Sequence, residues 1–384
     1  IAAYKAPLIV RLLKSKKAEV RVIMTQAAKD FVTPLTLSTL SGNPVLSCFI
    51  DSQHDNPVWN NHVELGKWAD LFIIAPATSL SISAMVNAKS NNLLIATYLS
   101  CTSKVYIAPA MDLDMYNHSS NQSNLEKLKS IGNEVLPVGE GFLASGLQGK
   151  GRMLEPEQII KKIEQDILDE LPLNGKKVLI TAGPTYEPID PVRFIANHST
   201  GKMGFALAEH AVKLGAEVTL ITGPTAISTT SDMQIFNVVT SEEMFIQVKK
   251  IFNKMDIAIA AAAVADFKPK ETHKIKLKKE INLNTIKLVP TQDILAWMGE
   301  NKNQQFLLGF ALETNDEIKN AIKKLKTKNL DAIVMNSLKN SGAGFSGDTN
   351  KVSYISRKEE IIQFELKSKN KVAEDIFTQI LKNE

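Results

Sequence analysis

Short apolar runs rich in β-branched residues alternate with amphipathic helical stretches along most of this chain. In the first half the runs occupy residues 20–24, 69–75 and 104–108, and a helix is expected over residues 7–14. Apolar strands that are buried on both faces and separated by helices are typical of a parallel sheet. Because ligands bind at the carboxyl ends of such strands, the loops MTQAA, APATS and APAMD are the expected place for chemistry.

The same alternation restarts after a break at Pro172 and Gly175, which ends a helical stretch expected from residue 155. In the second half we expect a helix over residues 202–214 and strands over residues 177–181, 217–222, 256–262, 306–310 and 331–335. The strand–helix–strand order at its start is a complete βαβ unit. The chain is therefore predicted to form two α/β domains, residues 1–175 and 176–384, the first apparently without its N-terminal strand.

Composition argues against several classes of protein. The 384 residues include 45 Lys and Arg against 41 Asp and Glu, a net charge of +4, and only 6% are aromatic, so no nucleic-acid partner is expected. Cys48 and Cys101 allow neither a disulfide framework nor a zinc site, which favours reduced thiols in a cytoplasmic protein. The longest apolar runs, residues 71–77 and 257–265, are far shorter than the roughly 20 residues of a membrane-spanning helix.

Four segments of the first half carry candidate site residues. His62 opens a short predicted helix and could act as an acid or base, although a helix-capping surface histidine is the simpler local interpretation. The APATS loop could approach a phosphate or a flat ring, or be a plain turn. Asp112 and Asp114 follow a strand beside two methionines, which core packing does not explain. The glycine-rich residues 141–151 around Ser145 suggest a mobile flap, with a disordered surface loop as the alternative.

In the second half, Asn197 precedes the predicted helix, where Ser199 and Thr200 are the expected N-caps. A cap or turn role for Asn197 is the simpler local interpretation. The following Gly-Lys is no Walker A motif, because Ala196 and Met203 occupy the places that require Gly and Ser or Thr.

Asp266 ends a run of small residues that would let a nucleobase or sugar approach the backbone, with a tight helix–sheet contact as the alternative. Its carboxylate could bind ribose hydroxyls or help to hold a metal ion. The alternating segment 274–279 (KIKLKK) by itself predicts an exposed edge strand, and residues 323–328 predict a solvated helix face.

The segments MTQAA, HVELGKWADLFIIAPAT and PAMDLDM, in this order, resemble the flavin-dependent phosphopantothenoylcysteine decarboxylases over roughly residues 1–155. The resemblance implies a flavodoxin-like or Rossmann-like FMN domain in which His62 is catalytic. FMN oxidises the cysteine thiol of the substrate, CO₂ leaves, and the resulting enethiol is reduced again. The residues expected to bind FMN are Thr25, Ala75, Pro76, Ala77, Thr78, Ala108 and Met111.

Three positions depart from the pattern of that family. Asp112 replaces the asparagine that holds the substrate carboxylate, Ser145 replaces the flap cysteine used in the final reduction, and Leu80 lies near the place of a further asparagine. An ionised Asp112 would repel a substrate carboxylate, so it must be protonated, paired or used differently. We favour a sub-branch of the family in which Asp112 and Ser145 take the place of the usual asparagine and cysteine. The alternatives are an enzyme that stops at the enethiol and a decayed domain.

The segments TAGPTYEPIDPVRFIANHSTGKMG, ITGPT, AAAVADFKPK, GFALET and KKLKTKNLD resemble phosphopantothenate–cysteine ligases over roughly residues 176–380. The resemblance implies a Rossmann-like ligase domain in which Asn197 stabilises the acyl-nucleotide step and Lys274 neutralises charge. The substrate carboxylate attacks the α-phosphate of CTP with Mg²⁺ present, and the cysteine amine then displaces CMP. Asp266 is a candidate Mg²⁺ ligand. The residues expected to bind the nucleotide are Ala260, Ala261, Ala262, Asp266, Lys274, Thr291, Gln292, Asp293, Ile294, Phe310, Lys324 and Lys328.

A chain that shows both resemblances is similar to the bifunctional family of coenzyme A biosynthesis, in which the ligase product is the decarboxylase substrate. The implied partners are 4′-phosphopantothenate, cysteine, CTP and phosphopantothenoylcysteine. In that family the decarboxylase units form trimers and the ligase units form dimers, which together would give a dodecamer. Two other classes stay open: a ligase with a silent flavin-binding domain, and a non-catalytic regulatory flavoprotein.

Overall fold

The structure, a computed structural model, describes residues 1–51, 58–143, 145–278, 285–313, 316–337 and 347–383. It divides into two compact units, Ile1–Ile167 and Leu168–Glu384. The predicted positions Ala144, Lys279 and Thr314 lie outside the described residues. No helix in the described ranges is both long enough and apolar enough to cross a membrane.

The first unit alternates helices with short strands. Its helices are α1 (Ala6–Ser15), α2 (Pro34–Ser41), α3 (His62–Trp68), α4 (Ser79–Val86), α5 (Leu93–Ser100), α6 (Leu113–Asn117), α7 (Ser119–Ser130) and α8 (Pro156–Glu170). Its strands are β1 (Val22–Ile23), β2 (Val45–Leu46), β3 (Ile50–Asp51), β4 (Val58–Trp59), β5 (Leu71–Ala77), β6 (Lys104–Pro109), β7 (Glu134–Val135), β8 (Gly139–Phe142) and β9 (Gln148–Arg152). Two 3₁₀ turns occupy Ala2–Lys5 and Gln26–Asp30.

Strands β5, β6 and β7 form a parallel sheet, and β1 pairs in parallel with β2. The middle strand β6 is buried on both faces, as expected for a strand covered by helices. Ile107 packs in the cluster with α4, α5 and α7, whereas Tyr106 and Ala108 pack with α1 and α8. This division follows from the two-residue period of a strand.

The second unit is built on one large mixed sheet. Its helices are α9 (Lys202–Lys213), α10 (Ser241–Ile251), α11 (Ile294–Glu300), α12 (Glu317–Thr327) and α13 (Lys369–Asn383), with a 3₁₀ turn at Phe252–Lys254. Its strands are β10 (Lys177–Ala182), β11 (Tyr186–Pro188), β12 (Phe194–Ala196), β13 (Glu217–Thr222), β14 (Gln234–Asn237), β15 (Ile257–Ala260), β16 (Phe267–Pro269), β17 (Leu288–Pro290), β18 (Phe306–Glu313), β19 (Ala332–Ser337), β20 (Thr349–Asn350), β21 (Val352–Ser356), β22 (Ile361–Gln363) and β23 (Lys367–Ser368).

The sheet order is β14-β13-β10-β15-β18-β19-β21-β22, parallel from β14 to β19 and antiparallel beyond. Both faces are covered by helices. Val178 and Ile180 lie in the core cluster that contains residues of α9 and α13, and Leu179 lies in the cluster with α10, α11 and α12. The predicted mixed α/β class with two domains is confirmed.

Two local expectations are wrong. Helix α9 begins after Gly201, which has φ +82° and serves as the N-cap, so neither Ser199 nor Thr200 caps it. Glycine fits here because this backbone conformation is costly for other residues. Residues 272–278 form bends and irregular backbone rather than an edge strand, because their hydrogen bonds go to a neighbouring turn.

Candidate active sites of the two units

The first site lies where β5 and β6 end side by side. Ala77 is in register with Pro109, and its carbonyl oxygen accepts a hydrogen bond from the Ala110 N–H at 3.0 Å. The pairing is irregular between Ile74 and Ala77, so the backbone bulges at Ala75 and Pro76. The APATS and APAMD loops are therefore neighbours at the carboxyl edge of the sheet.

The other expected FMN residues lie on several segments of the first unit. Thr78 caps α4 by accepting the Ser81 N–H at 3.3 Å, and Ala108 is fully buried one residue before the end of β6. Thr25 follows the separate pair β1–β2 and precedes the 3₁₀ turn at Gln26–Asp30. The structure brings the segments of Thr78 and Ala108 together and places Thr25 after another strand pair of the same unit.

The glycine-rich segment is an antiparallel hairpin, β8–β9, rather than a disordered loop. Its second strand packs on the loop that carries Asp112: the Met111 N–H donates to the Gly151 carbonyl oxygen at 3.0 Å. A Cβ on Gly151 would lie 2.3 Å from the Met111 carbonyl oxygen, so only glycine allows this approach. Asp112 caps the short α6 through the Leu113 N–H at 2.7 Å. Ser145 is exposed at the tip of the hairpin.

His62 is the first residue of α3, and Asn61 caps that helix through the N–H groups of Val63 and Glu64. The ring of His62 lies edge-on to Phe49 and Trp59, with centroid distances of 5.9 and 6.4 Å. Its Nδ1 atom is buried and has no hydrogen-bond partner among the described residues. A buried polar atom without a partner is costly, so this nitrogen suits contact with a bound polar group.

Phe49 and Trp59 pack against His62 at the candidate site, and sequence reasoning missed them. Phe49 and Asn60 are joined by a backbone hydrogen bond of 2.8 Å beside the β3–β4 pair, so the two rings converge on His62 through a non-local contact. Trp59 is 59% exposed and offers an aromatic surface to a ligand. The only sequence signal was the neighbourhood of Trp59 to His62, three residues apart.

The second site lies where β10, β13 and β15 end. A Cβ on Gly223 would lie 1.6 Å from the Pro184 carbonyl oxygen, and a Cβ on Gly204 would lie 2.5 Å from the Ala182 Cβ atom. These contacts let the loops after β10 and β13 touch and let α9 start directly above its strand. The three segments are thus close-packed at one edge of the sheet.

Asn197 follows β12 and is exposed, but its amide is fixed to the loop after β15. Its Nδ2 donates to the carbonyl oxygens of Ala263 and Val264, both at 3.1 Å. Ala261 and Ala262, after Ala260 at the end of β15, donate to the Thr181 carbonyl and hydroxyl oxygens at 3.2 and 3.3 Å. The structure therefore brings the predicted residue Asn197 to the predicted small-residue segment.

Asp266 and the predicted segment 291–294 are also neighbours. The Thr291 N–H donates to the Asp266 carbonyl oxygen at 3.0 Å, and the Thr291 hydroxyl donates to the Ala265 carbonyl oxygen at 2.6 Å. The Asp266 side chain is exposed, Gln292 is exposed and Ile294 is buried. The described residues contain no cluster of three or more metal-binding side chains, so Asp266 stands as a single carboxylate.

The two predicted lysines lie at the end of α12, Lys324 within its last turn and Lys328 as the C-cap residue after it. Lys324 donates to the Phe310 carbonyl oxygen at 2.9 Å, and Lys328 is paired with the carboxylate of Asp293. Partial burial would raise the pKa of Asp293, but the hydrogen bonds from Lys328 and the Ala296 N–H outweigh it, so its pKa is lowered. Asp293 is therefore ionised and orders the start of α11.

Lys274 is exposed and forms no hydrogen bond or ion pair within the part of the chain that the structure describes. No hydrogen bond joins it to Asn197 or Asp266 in that part, and its segment is held by the turn that follows β11. Of the predicted ligase residues it is the one that the structure leaves apart.

In the comparisons with known proteins, two family models match ranges close to the two compact units. The model of the DNA/pantothenate metabolism flavoprotein C-terminal domain matches residues 173–383, and the flavoprotein model matches residues 1–168. The coenzyme A biosynthesis bifunctional protein CoaBC of Bacillus subtilis is 44% identical over 383 residues, covering 99% of this chain and 94% of that protein. The protein of the same name from Haemophilus influenzae is 42% identical over 382 residues, again 99% and 94%.

The chain belongs to the coenzyme A biosynthesis bifunctional protein family. Another relative has a different name. A cysteine/cysteine sulfinic acid decarboxylase from an unknown prokaryotic organism is 51% identical over 356 residues, covering 91% of this chain and 99% of that protein. Only this last name states a decarboxylation, that of cysteine or cysteine sulfinic acid.

Proposed function

We propose that the chain is a bifunctional enzyme that joins 4′-phosphopantothenate to cysteine with CTP and then decarboxylates the product to 4′-phosphopantetheine. The observation that carries this proposal is the full-length similarity to bifunctional relatives, 41–44% identical over 98–99% of this chain. The silent-decarboxylase and regulatory alternatives have no comparable support.

For ligation we propose that the nucleotide lies along the carboxyl edge of the second unit. Lys324 and Lys328 supply positive charge where the triphosphate enters, and Asp266 binds the ribose or a Mg²⁺ ion that bridges phosphates. Asn197 offers its amide to the developing charge of the acyl-phosphate step, because its position is fixed by the Ala263 and Val264 carbonyl oxygens. Lys274 neutralises the charge that accumulates when two anions meet.

For decarboxylation we propose that the first unit holds FMN with Thr25, the Ala75–Thr78 loop, Ala108 and Met111. The residues fit such a group, since small side chains line the strand ends and the buried Nδ1 of His62 lacks a partner among described residues. FMN, when bound, supplies the oxidation of the cysteine thiol that makes loss of CO₂ easy. His62 moves the proton, and the hairpin with Ser145 covers the substrate.

A second candidate function is decarboxylation of free cysteine or cysteine sulfinic acid by the first unit. The 51% identical relative favours it, and so does Asp112. The Leu113 N–H donates to the Asp112 carboxylate at 2.7 Å, which fixes the position of this side chain beside the candidate site. An ionised carboxylate attracts the ammonium group of a free amino acid, whereas the amide of phosphopantothenoylcysteine has no such charge.

We propose dimers of the ligase unit and trimers of the decarboxylase unit as the assembly. Apolar side chains with large exposed fractions support self-association of each unit: Leu80 (81%) and Phe142 (70%) in the first, Phe194 (49%) and Phe267 (54%) in the second. Light scattering of the purified chain measures the assembly directly. A monomer at micromolar concentration would contradict this proposal.

One assay tests the main function. The purified chain, checked for yellow colour and released FMN, is given 4′-phosphopantothenate, cysteine, CTP and Mg²⁺, and products are followed by mass spectrometry. Formation of 4′-phosphopantetheine supports both activities. Accumulation of phosphopantothenoylcysteine contradicts the decarboxylase part, and absence of both products contradicts the ligase part.

A substrate comparison tests the second candidate. The same chain is given phosphopantothenoylcysteine, cysteine or cysteine sulfinic acid, and CO₂ release is measured. With Asp112→Asn, which retains the acceptor for the Leu113 N–H, the preference should shift toward phosphopantothenoylcysteine by about tenfold, the size of one close charge interaction at the surface. An unchanged preference would remove Asp112 from substrate choice.

A further inference from the structure

Asp190 is a buried carboxylate at the tip of the β11–β12 hairpin, outside the residues assigned above. Its Oδ1 accepts the N–H groups of Val192 and Arg193 at 2.8 and 2.9 Å, and its Oδ2 accepts Arg193 Nε, Arg193 Nη2 and the Leu277 N–H at 2.9, 2.5 and 3.2 Å. The Arg193 guanidinium holds the pKa of this carboxyl well below its usual range. The group is therefore ionised and fully satisfied.

These bonds connect the two segments that carry Asn197 and Lys274. On one side, Asp190 closes the turn between β11 and β12, and Asn197 follows β12 directly. On the other side, the Leu277 N–H donates to Asp190, and the Leu277 carbonyl oxygen accepts Arg193 Nη2 at 2.8 Å. One carboxylate thus orders both sides of the contact.

Two further bonds fix the same segment just before Lys274. The Thr272 hydroxyl donates to the Pro188 carbonyl oxygen at 3.2 Å, and the His273 N–H donates to the Ile189 carbonyl oxygen at 2.9 Å. Lys274 therefore lies between anchors at residues 273 and 277. Its own side chain has no partner in the described ranges, so only its backbone determines where its charge can reach.

We infer that Asp190 is a positioning residue for ligation, which holds the backbone around Lys274 against the Asn197 hairpin so that the lysine charge meets the reacting anions. The inference rests on the ligase function proposed for the second unit. A carboxylate is required because all five groups that reach Asp190 are donors. An asparagine would turn its own N–H₂ toward one of them.

Asp190→Asn in the full chain tests the inference through kinetics. We expect kcat for ligation to fall at least about tenfold while KM for CTP changes less than about twofold, because a misplaced group loses transition-state contacts rather than nucleotide binding. In the Lys274→Gln background, the same change should lower the residual rate less than about twofold, since both changes remove one effect. Hydrogen exchange of residues 272–277 should become faster.

The control is Glu374→Gln. Glu374 forms an ion pair of 2.9 Å with Lys371 on α13, and the two residues are three positions apart, as Asp190 and Arg193 are. This change should leave kcat unchanged. If Asp190→Asn lowers the melting temperature strongly, Thr272→Val removes only the exposed hydroxyl bond to Pro188 and should still lower kcat about two- to fourfold without lowering the melting temperature.

Two results would overturn the inference while the wild-type chain still ligates. One is a wild-type kcat in Asp190→Asn or, where that variant is unstable, in Thr272→Val. The other is an additive loss in the double variant with Lys274→Gln, which would mean that Asp190 acts by another route. Failure of the wild-type chain to release CMP from its substrates would instead contradict the proposed ligase function itself.

Discussion

The two candidate sites differ in how much of their geometry the chain itself completes. In the second unit, Asn197, Lys324 and Lys328 each have a partner within the described structure, and their positions are set before any ligand arrives. In the first unit, the buried Nδ1 of His62 has no partner among the described residues, and Ser145 lies exposed at a hairpin tip. These three residues of the candidate ligase site are held in place by the chain itself, whereas the candidate decarboxylase site contains a buried polar atom that a bound group could satisfy.

The largest expected effect concerns Lys274, which has no hydrogen-bond or ion-pair partner among the described residues. Lys274→Gln should lower ligation at least about a hundredfold, because a placed cation that offsets developing charge is commonly worth that much. CMP release measures the rate, and flavin absorbance shows that the first unit is intact. Normal turnover would remove Lys274 from the chemistry, and the ligase site would then consist of the hydrogen-bonded residues alone.

The next effect tests the incomplete site. His62→Asn should lower CO₂ release from supplied phosphopantothenoylcysteine about a hundredfold or more, in the usual range for a lost general acid or base. Ligation should continue, so phosphopantothenoylcysteine should accumulate in the coupled assay. Unchanged decarboxylation would show that the unpartnered nitrogen has a structural role only.

A third change tests whether the close approach of the β8–β9 hairpin to the loop of Met111 stabilises the first unit. Gly151→Ala would place a Cβ 2.3 Å from the Met111 carbonyl oxygen at a backbone φ of +142°, and should destabilise the first unit by roughly 2 kcal/mol or more. Gly146→Ala is the matched control, with φ +86° and open space, and should cost about 1 kcal/mol. Denaturant unfolding compares them; equal losses would mean that the close approach is unimportant.

The smallest effect concerns pH and the second site. The lowered pKa of Asp293 means that its pair with Lys328 adds stability above the unfolded-state pKa, and that this is lost as pH falls through the lower folded-state pKa. Because half of the carboxylate is exposed, Lys328→Met should cost only a few tenths of a kcal/mol at pH 7 and nothing once Asp293 is protonated. A loss that is independent of acid would contradict the pairing.

Local patterns predicted more of the fold than of the sites. The alternation of Val178, Leu179 and Ile180 between the two core clusters follows from the two-residue period of a strand, and the predicted parallel strands are confirmed. The antiparallel pairing of β21 with β22 was not predicted, because it depends on the pairing of β21 with β19, which the local sequence does not reveal.

The sites depend on contacts between residues far apart in the sequence. The rings of Phe49 and Trp59 meet His62 through the pairing of β3 with β4, and Asp190 meets Leu277 across 87 residues. Neither contact leaves a periodic pattern. The edge strand expected over residues 274–279 is absent from its described part, residues 274–278, because alternation alone does not reveal which backbone partner is present.

The anchors at residues 273 and 277 leave residues 274–276 as a short window whose side chains form no hydrogen bond or ion pair with the residues that the structure describes. Ile275 is 80% exposed and Lys276 is exposed as well, so exchanging these residues disturbs no packing. Evolution, or an engineer, can therefore change the charge at positions 275 and 276 beside Lys274 to suit a different anionic substrate while the surrounding scaffold stays the same.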